Sequence, residues 1–212
     1  WSSDVCSSDL VALVQAYLRI NGYFTVAEYP ILETHGKNAV QMATDIDILA
    51  FRFPGAIRQV VGKRNEKWQQ GLSIPDPDLK VPSGAPDMII GEVKEGRAHL
   101  NKSMRNPSIV SAALARFGCC AAKHAEGTAQ KLLAAGRAKT PEGHMVRIVV
   151  FASGGAEERR FQVLTLAHIT DFLRSYLREH WQVLHHAQFR DPVLSLLMTL
   201  EKAGDAAPVE ED

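Results

Sequence analysis

The pattern of apolar and polar positions predicts helices at the start, in the middle and at the end of the chain. Apolar residues at positions 11, 13, 14, 17, 18 and 20 have helical spacing, and Asn21-Gly22 is a typical helix end. Asn106-Pro107-Ser108 is a typical helix start. We therefore predict helices over residues 11–20, 111–117, 121–135, 169–184 and 193–202.

Runs of aromatic, β-branched and other apolar residues predict five strands. The run at 45–53 ends at Pro54-Gly55, and the run at 146–152 ends at Ser153-Gly154-Gly155, which are both turn sequences. Pro30 places the far end of the first strand at a sheet edge, because proline cannot donate a hydrogen bond to a neighbouring strand. The predicted strands are residues 23–31, 45–53, 87–95, 146–152 and 160–166.

The segments between these elements are predicted connections. Residues 33–43 form a polar connection, residues 57–61 a short helical turn, and residues 68–85 a proline-rich loop. The order helix, three strands, helices, two strands, helices is typical of an α/β fold with a central mixed β-sheet flanked by helices. We expect one domain over 11–204, with a Pro-rich insertion near 68–86 and a disordered acidic tail over 205–212.

The first ten residues differ in character from the rest. They repeat Ser-Ser-Asp within a few positions, and residues 4–10 resemble the translation of a sequencing-library adapter. We therefore expect residues 1–10 to be non-native and exclude them from the fold, as one excludes an expression scar. On this interpretation the true N-terminal segment is missing.

Charge is balanced over the chain but uneven along it. The 212 residues contain 24 Lys and Arg against 24 Asp and Glu. Residues 94–140 nevertheless contain nine Lys and Arg against two Glu, a net charge of +7, and residues 52–69 contain five against one. A single basic stretch usually forms a solvated face, but two of them bracketing an acidic site favour a nucleic-acid partner.

Composition places the protein among soluble domains. No apolar run approaches the roughly 20 residues that a membrane-spanning helix needs, so we expect no membrane partner. The odd cysteine count, with Cys119 and Cys120 adjacent, makes a poor disulfide framework and favours a cytoplasmic setting. The histidines are not part of an HExxH motif and have no CxxC pair beside them, which are the patterns of common metal sites. A homodimer is compatible with the sequence.

Acidic and basic residues interrupt two of the predicted strands. Alternate residues of a strand share a face, so Glu92 and Lys94 project together, as do Asp45 and Asp47 in the earlier strand. Charged groups in a mostly apolar strand are costly unless they are paired or bind a metal. If the two strands are neighbours, Asp47, Glu92 and Lys94 meet at one end.

These residue types match the needs of phosphodiester hydrolysis. Carboxylate oxygens hold Mg²⁺, which keeps several waters and contacts the phosphate. The metal polarises the phosphoryl oxygen and lowers the pKa of a bound water. A lysine beside it orients the attacking water or stabilises the developing negative charge.

One strand has an Asp before apolar residues (Asp47-Ile-Leu-Ala50), and the next strand has Glu92-Val-Lys94. In these two motifs the chain resembles the PD-(D/E)XK nuclease superfamily. The resemblance covers residues 11–152 and implies a restriction-endonuclease-like αβββαβ core. It implies that Asp47 and Glu92 bind the metal, Mg²⁺ with Mn²⁺ as a substitute, and that Lys94 is the catalytic lysine. The implied substrate is nucleic acid, with DNA favoured over RNA.

The chain departs from the family pattern at two places. The literal Pro-Asp of the motif is Pro86-Asp87, but Asp87 lies five residues before Glu92, on the same strand and the opposite face. We therefore prefer Asp47, and keep Asp45 and Asp87 as secondary candidates. The family often has a Glu on its first helix; residues 11–21 have none, and Glu28 or Glu33 are the available substitutes.

Two rival interpretations remain beside the nuclease. In one, Glu92 and Lys94 form an exposed cross-strand ion pair in a catalytically inactive nucleic-acid-binding or scaffold module. In the other, the chain is an α/β hydrolase domain that is not a nuclease. For the nuclease, Arg97, Lys102 and Arg105 follow the catalytic strand directly and are the predicted phosphate contacts.

Overall fold

A computed structural model describes residues 3–35, 39–61, 69–72, 75–155 and 159–204. The helices are α1 (Ser3–Ile20), α2 (Pro107–Phe117), α3 (Ala122–Ala135), α4 (Leu166–Glu179), α5 (Trp181–Leu184) and α6 (Pro192–Ala203). The strands are β1 (Phe24–His35), β2 (Ala39–Arg52), β3 (Gln59–Val61), β4 (Gln69–Gly71), β5 (Asp87–Lys94), β6 (Arg137–Lys139), β7 (Met145–Ala152) and β8 (Gln162–Thr165).

Six of the strands form one mixed sheet. Its order is β1-β2-β5-β7-β6, and β1, β2 and β5 pair antiparallel whereas β5 and β7 pair parallel. The other edge of β7 is shared, because β6 pairs with its first half and β8 with its second half. Strands β3 and β4 form a separate two-stranded sheet. The expected α/β architecture with a central mixed sheet is confirmed.

Helices cover the sheet on both faces. Helices α1, α4 and α6 pack together over one face, on a buried cluster that includes Ile48, Ile89 and Phe151. Helices α2 and α3 cover the other face, on a cluster that includes Leu49, Ile90 and Ile148. Successive residues of the central strands are therefore buried on opposite sides, which explains why β5 and β7 read as nearly continuous apolar runs.

Helix α2 shows how local chemistry sets an element boundary. The side chain of Asn106 accepts a hydrogen bond from the backbone N–H of Ser108, and Pro107 occupies the first turn. The helix ends at Gly118, whose φ of +63° is readily available only to glycine. The predicted helix start at 106–108 is confirmed, and the helix begins four residues before the predicted 111.

The predicted connection at 33–43 is wrong. Strand β1 continues to His35 and β2 begins at Ala39, so the two strands form a long hairpin. Its outer part pairs Leu32 with Met42 and Thr34 with Val40. Neither face of this part is buried, and its apolar residues Leu32, Val40 and Met42 are all more than half exposed, so they do not mark a face that packs on the core.

Smaller predictions also fail around the insertion. Residues 59–61 are strand β3 and not a helical turn, consistent with the β-branched Val60 and Val61. The expected loop at 68–85 contains β4 and a 3₁₀ turn at Pro77–Leu79. Strand β6 was not expected, since three residues give no readable period.

The N-terminal helix extends into the segment that the sequence excluded. Helix α1 begins at Ser3, and Leu10 packs against the cluster beneath α1, α4 and α6. The acidic tail at 205–212 lies outside the described residues. Within the described ranges, none of the helices has the length and apolarity required to cross a membrane.

Candidate active site

The pairing of β1 with β2 is interrupted at one acidic position on each strand. Ala27 pairs with Ile48, and pairing resumes two residues further along β1, which leaves Glu28 and Asp47 between the two pairs. The count is equal on both strands, so Glu28 and Asp47 lie side by side. The interruption places two carboxylates, exposed Glu28 and half-buried Asp47, in the middle of a long hairpin.

Strand β5 adds a third acidic residue to the same row. Its antiparallel pairing with β2 ends at Ile48 and Gly91. The next residue on each strand is Asp47 and Glu92, so these two lie opposite each other just beyond the last pair. Glu28, Asp47 and Glu92 therefore form a row across three adjacent strands, hereafter the acidic row.

The backbone at Glu28 is strained. Its φ is +51°, a conformation that non-glycine residues rarely adopt and that costs about 1–3 kcal/mol. The alternation of β1 breaks there: Ala27 packs on the α1 side of the sheet, whereas Tyr29, two residues on, packs on the α2 side. The side of the sheet that the β1 residues face therefore switches at the acidic row.

Asp47 is fixed by the backbone of β5. Its Oδ2 accepts a hydrogen bond of 2.6 Å from the N–H of Val93, the residue between Glu92 and Lys94. The carboxylate takes the place of a backbone acceptor where the two strands separate. This contact fixes the position of Asp47 relative to the Glu92-Val93-Lys94 segment.

Gly91 allows the close packing just before Glu92. A Cβ atom there would lie 3.1 Å from the ring of Phe151 and 3.2 Å from the Cβ of Ile48, tighter than most real contacts. A larger residue would push β5 away from one of its neighbours. Gly91 therefore helps to hold Glu92 opposite Asp47.

Glu92 and Lys94 form a buried ion pair. Their side chains are 3% and 19% exposed, and the Lys94 ammonium contacts Oε1 of Glu92. Among the described residues, no group other than Lys94 is placed to donate a hydrogen bond to this oxygen. The pair is thus a charge contact that leaves hydrogen-bonding capacity of the carboxylate unused.

Burial and neighbouring carboxylates both raise the pKa values of the two central acids. The pKa of Glu92 is raised to about 7, mainly by burial and also by the charges of Asp47 and Asp45, while Lys94 acts to lower it. Burial also raises the pKa of Asp47, as do the charges of Asp45 and Glu28, while the Val93 N–H and Lys94 lower it. Four carboxylates thus share one lysine, and an added cation would relieve their repulsion.

The predicted phosphate contacts follow this site in the chain. Backbone bonds from Gly154 N to Gly96 O (2.9 Å) and from Ala98 N to Gly155 O (3.2 Å) hold the segment after β5 against the end of β7. Arg97, Lys102 and Arg105 are exposed on this segment. It lies at the carboxyl ends of two parallel strands, where open α/β sheets commonly bind ligands.

Of the secondary candidates, the structure brings Asp45 to the site and leaves Glu33 away from it. Asp45 is exposed and adds to the negative charge that acts on Asp47 and Glu92. Glu33 lies further out on the hairpin, where its carboxylate accepts a 2.8 Å hydrogen bond from Gln41. Between the two available glutamates, only Glu28 therefore lies in the acidic row.

Asp87 belongs to a different cluster at the other end of β5. Its oxygens accept hydrogen bonds from Arg147 Nε (3.0 Å) and Nη2 (2.6 Å), and from the hydroxyl of Tyr23 (2.5 Å). The odd separation from Glu92 puts Asp87 on the opposite face, as expected. Asp87 is thus separated from the acidic row by the length of β5.

One cluster was not foreseen from the sequence. In the described ranges, Asp76, Asp78 and His168 are the group whose potential ligand atoms all lie within 4.8 Å of one another. The hydrogen bonds of the Asp76 carboxylate are already made: Oδ2 contacts His168 Nε2 and the Tyr17 hydroxyl, both at 2.6 Å, and Oδ1 accepts from Asp78 N–H. This geometry ties α4 and α1 to the segment before β5. Asp76 and His168 are 92 positions apart in the chain, so no local sequence pattern indicates the contact.

Comparison of the chain with protein-family models, with curated proteins and with solved structures gives no match.

Proposed function

We propose that the protein is a metal-dependent nuclease whose site comprises Asp47, Glu92 and Lys94. The observation on which this rests is the acidic row: two partly or fully buried carboxylates face each other beside a single lysine, with two more carboxylates near them. The order of one helix, three antiparallel strands, helices and a parallel strand supports a restriction-endonuclease-like core.

The residues present fit a hard divalent cation. Mg²⁺ in proteins is usually bound by one or two carboxylates, and water and substrate phosphate complete its shell. Asp47 and Glu92 supply those carboxylates, and Asp45 and Glu28 add negative charge nearby. A bound Mg²⁺, or Mn²⁺ in its place, would polarise the phosphate and lower the pKa of a coordinated water.

Each protein residue then has a separate task. The Val93 N–H holds the Asp47 carboxylate in one orientation. Lys94, largely buried beside Glu92, holds its ammonium at the site and stabilises negative charge that develops on the phosphate or the attacking water. Burial from solvent strengthens both interactions, because the local dielectric is low.

The substrate is nucleic acid, with DNA favoured over RNA. Arg97, Lys102 and Arg105 lie on the segment that begins at the site, and residues 94–140 have a net charge of +7. Because the whole chain is neutral, this local charge must supply the attraction to phosphates. These cations position the substrate and give no sequence preference by themselves.

The test is a cleavage assay with fluorescently labelled single-stranded DNA, duplex DNA and RNA in the presence of Mg²⁺. We expect cleavage by the parent protein, abolished by EDTA and reduced about a thousandfold or more in Asp47→Asn and Glu92→Gln, since a catalytic metal contributes several kcal/mol. Lys94→Ala should lose turnover but retain binding.

Glu33→Gln is the matched control, because it removes an exposed carboxylate from the same hairpin away from the acidic row. It should cleave like the parent protein. Equal cleavage by Glu92→Gln and Glu33→Gln would overturn the site. Salt-dependent binding of nucleic acid without cleavage under any condition would support the rival interpretation, an inactive binding module.

A further inference from the structure

An apolar groove of about 410 Å³ opens on the α2 side of the sheet. Its floor consists of side chains from β1, β2 and β5, and its wall is the end of α2 with the turn that follows. The aromatic residues in it are Phe24, Phe51, Phe53 and Phe117. The groove therefore combines flat rings with an open side.

The rings are available for stacking. Phe24 is 63% exposed and Phe53 is 58% exposed, which is unusual for side chains of this size. Phe24 and Phe51 stack with their centroids 5.1 Å apart and their planes 20° apart. Phe53 meets Phe51 edge-on at 5.4 Å. The cluster thus presents an aromatic platform whose outer rings, Phe24 and Phe53, are mostly exposed.

One cationic side chain lines the groove, that of Arg116. None of the lining residues within the described chain is Asp or Glu. Arg116 is held over the ring of Tyr29, with its guanidinium carbon 5.5 Å from the ring centroid. The wall belongs to the 94–140 segment with its net charge of +7. An anionic ligand with flat apolar parts matches this combination.

The groove leads away from the acidic row along the same strands. Val26 and Leu49 line its near end, two residues from Glu28 and Asp47, which is about 7 Å at the rise of a strand. Phe24 and Phe51 lie two residues further. A strand with one phosphate at Asp47 and Glu92 would therefore place its neighbouring nucleotides in the groove.

We propose that this groove binds unpaired bases of a single-stranded nucleic acid next to the bond that is cut. The inference rests on the proposed function and narrows its substrate to single strands or single-stranded segments. Base stacking on aromatic rings tolerates any sequence, because every base has a π-face. A duplex cannot use these rings, since its bases already stack on one another.

The test measures binding separately from cleavage. A fluorescein-labelled oligodeoxythymidylate and a labelled DNA duplex are titrated with Glu92→Gln protein, and the change in anisotropy gives each Kd. Phe24→Ala and Phe53→Ala are added to this background. Both rings are exposed, so their loss should leave the fold intact. Leu32→Ala is the control, because Leu32 is 64% exposed on the same strand but outside the groove.

We expect each Phe→Ala change to weaken single-strand binding about 5- to 100-fold, the range that stacking of one base gives, with little change for the duplex. Leu32→Ala should change neither. Equal weakening for both ligands, or none for the single strand, would overturn the groove proposal even if the parent protein cleaves DNA. Selective weakening in a protein that never cleaves would support the groove and overturn the nuclease.

Discussion

The two ends of β5 each bury a carboxylate, and they treat it in opposite ways. Asp87 at the start is 1% exposed and Glu92 near the end is 2% exposed. Asp87 receives two hydrogen bonds from one guanidinium, Arg147, and a third from Tyr23. Glu92 contacts one ammonium and faces the carboxylate of Asp47. The first cluster is complete, and the second lacks positive charge.

This difference distinguishes a cluster that stabilises the fold from one that is a candidate for catalysis. A buried carboxylate that is paired and fully hydrogen-bonded needs nothing more, and its loss leaves an uncompensated cation. A buried carboxylate among other carboxylates is costly in the empty protein. Natural chains retain such costs mainly at functional sites, so the incomplete cluster, and not the well-satisfied one, is the candidate active site.

The largest expected effect on stability is at the complete cluster. Asp87→Asn leaves Arg147 buried, 6% exposed, without a charged partner, so we expect a loss of about 3–5 kcal/mol in the free energy of unfolding. Urea unfolding followed by circular dichroism measures it. Glu92→Gln, at the other end of the same strand, should cost nothing at neutral pH or stabilise the protein. An equal loss in the free energy of unfolding in the two variants would contradict the proposed difference between the two clusters.

A smaller effect is the pH dependence of stability. The Glu92 carboxyl has a pKa of about 7 in the folded protein against an ordinary value of 4.5. Between these values the folded chain holds a proton that the unfolded chain has lost, so stability falls as pH rises. At about 1.4 kcal/mol per unit, ionisation of Glu92 costs about 3 kcal/mol between pH 4.5 and 7.

Glu92→Gln removes that ionisation. Its stability advantage over the parent protein should grow by about this amount as pH rises from 4.5 to 7, measured by urea unfolding in EDTA. Glu33→Gln, whose carboxylate is exposed on the outer hairpin, should follow the parent protein at every pH. If the free energy of unfolding changed with pH in the same way in the parent protein and in Glu92→Gln, the ionised form of Glu92 would not be destabilised by burial.

The sequence could predict the parts of the fold that repeat a pattern. Strands β2, β5 and β7 were recognisable because their apolar runs are buried, and Asp47, Glu92 and Lys94 followed from alternation along two strands. The outer hairpin was missed because neither of its faces is buried. Strand β3 was missed because three residues give no period.

Contacts between distant segments were beyond such reasoning. Asp87 and Arg147 are 60 residues apart, and the sequence could only say that Asp87 pointed away from Glu92. The pairing of β1 with β2 likewise depends on how two strands meet, and this register puts Glu28, and not Glu33, in the acidic row. Tertiary geometry, and not local pattern, chose among the candidates.

Binding of Mg²⁺ in the absence of substrate is the most direct test of the central claim. Isothermal titration calorimetry of the metal-free protein should show a Mg²⁺ site that is lost in Glu92→Gln and Asp47→Asn and kept in Asp78→Asn, which alters the separate cluster with His168. This result would place the metal at the acidic row. Binding that survives both acidic-row variants, or that disappears only in Asp78→Asn, would contradict the account.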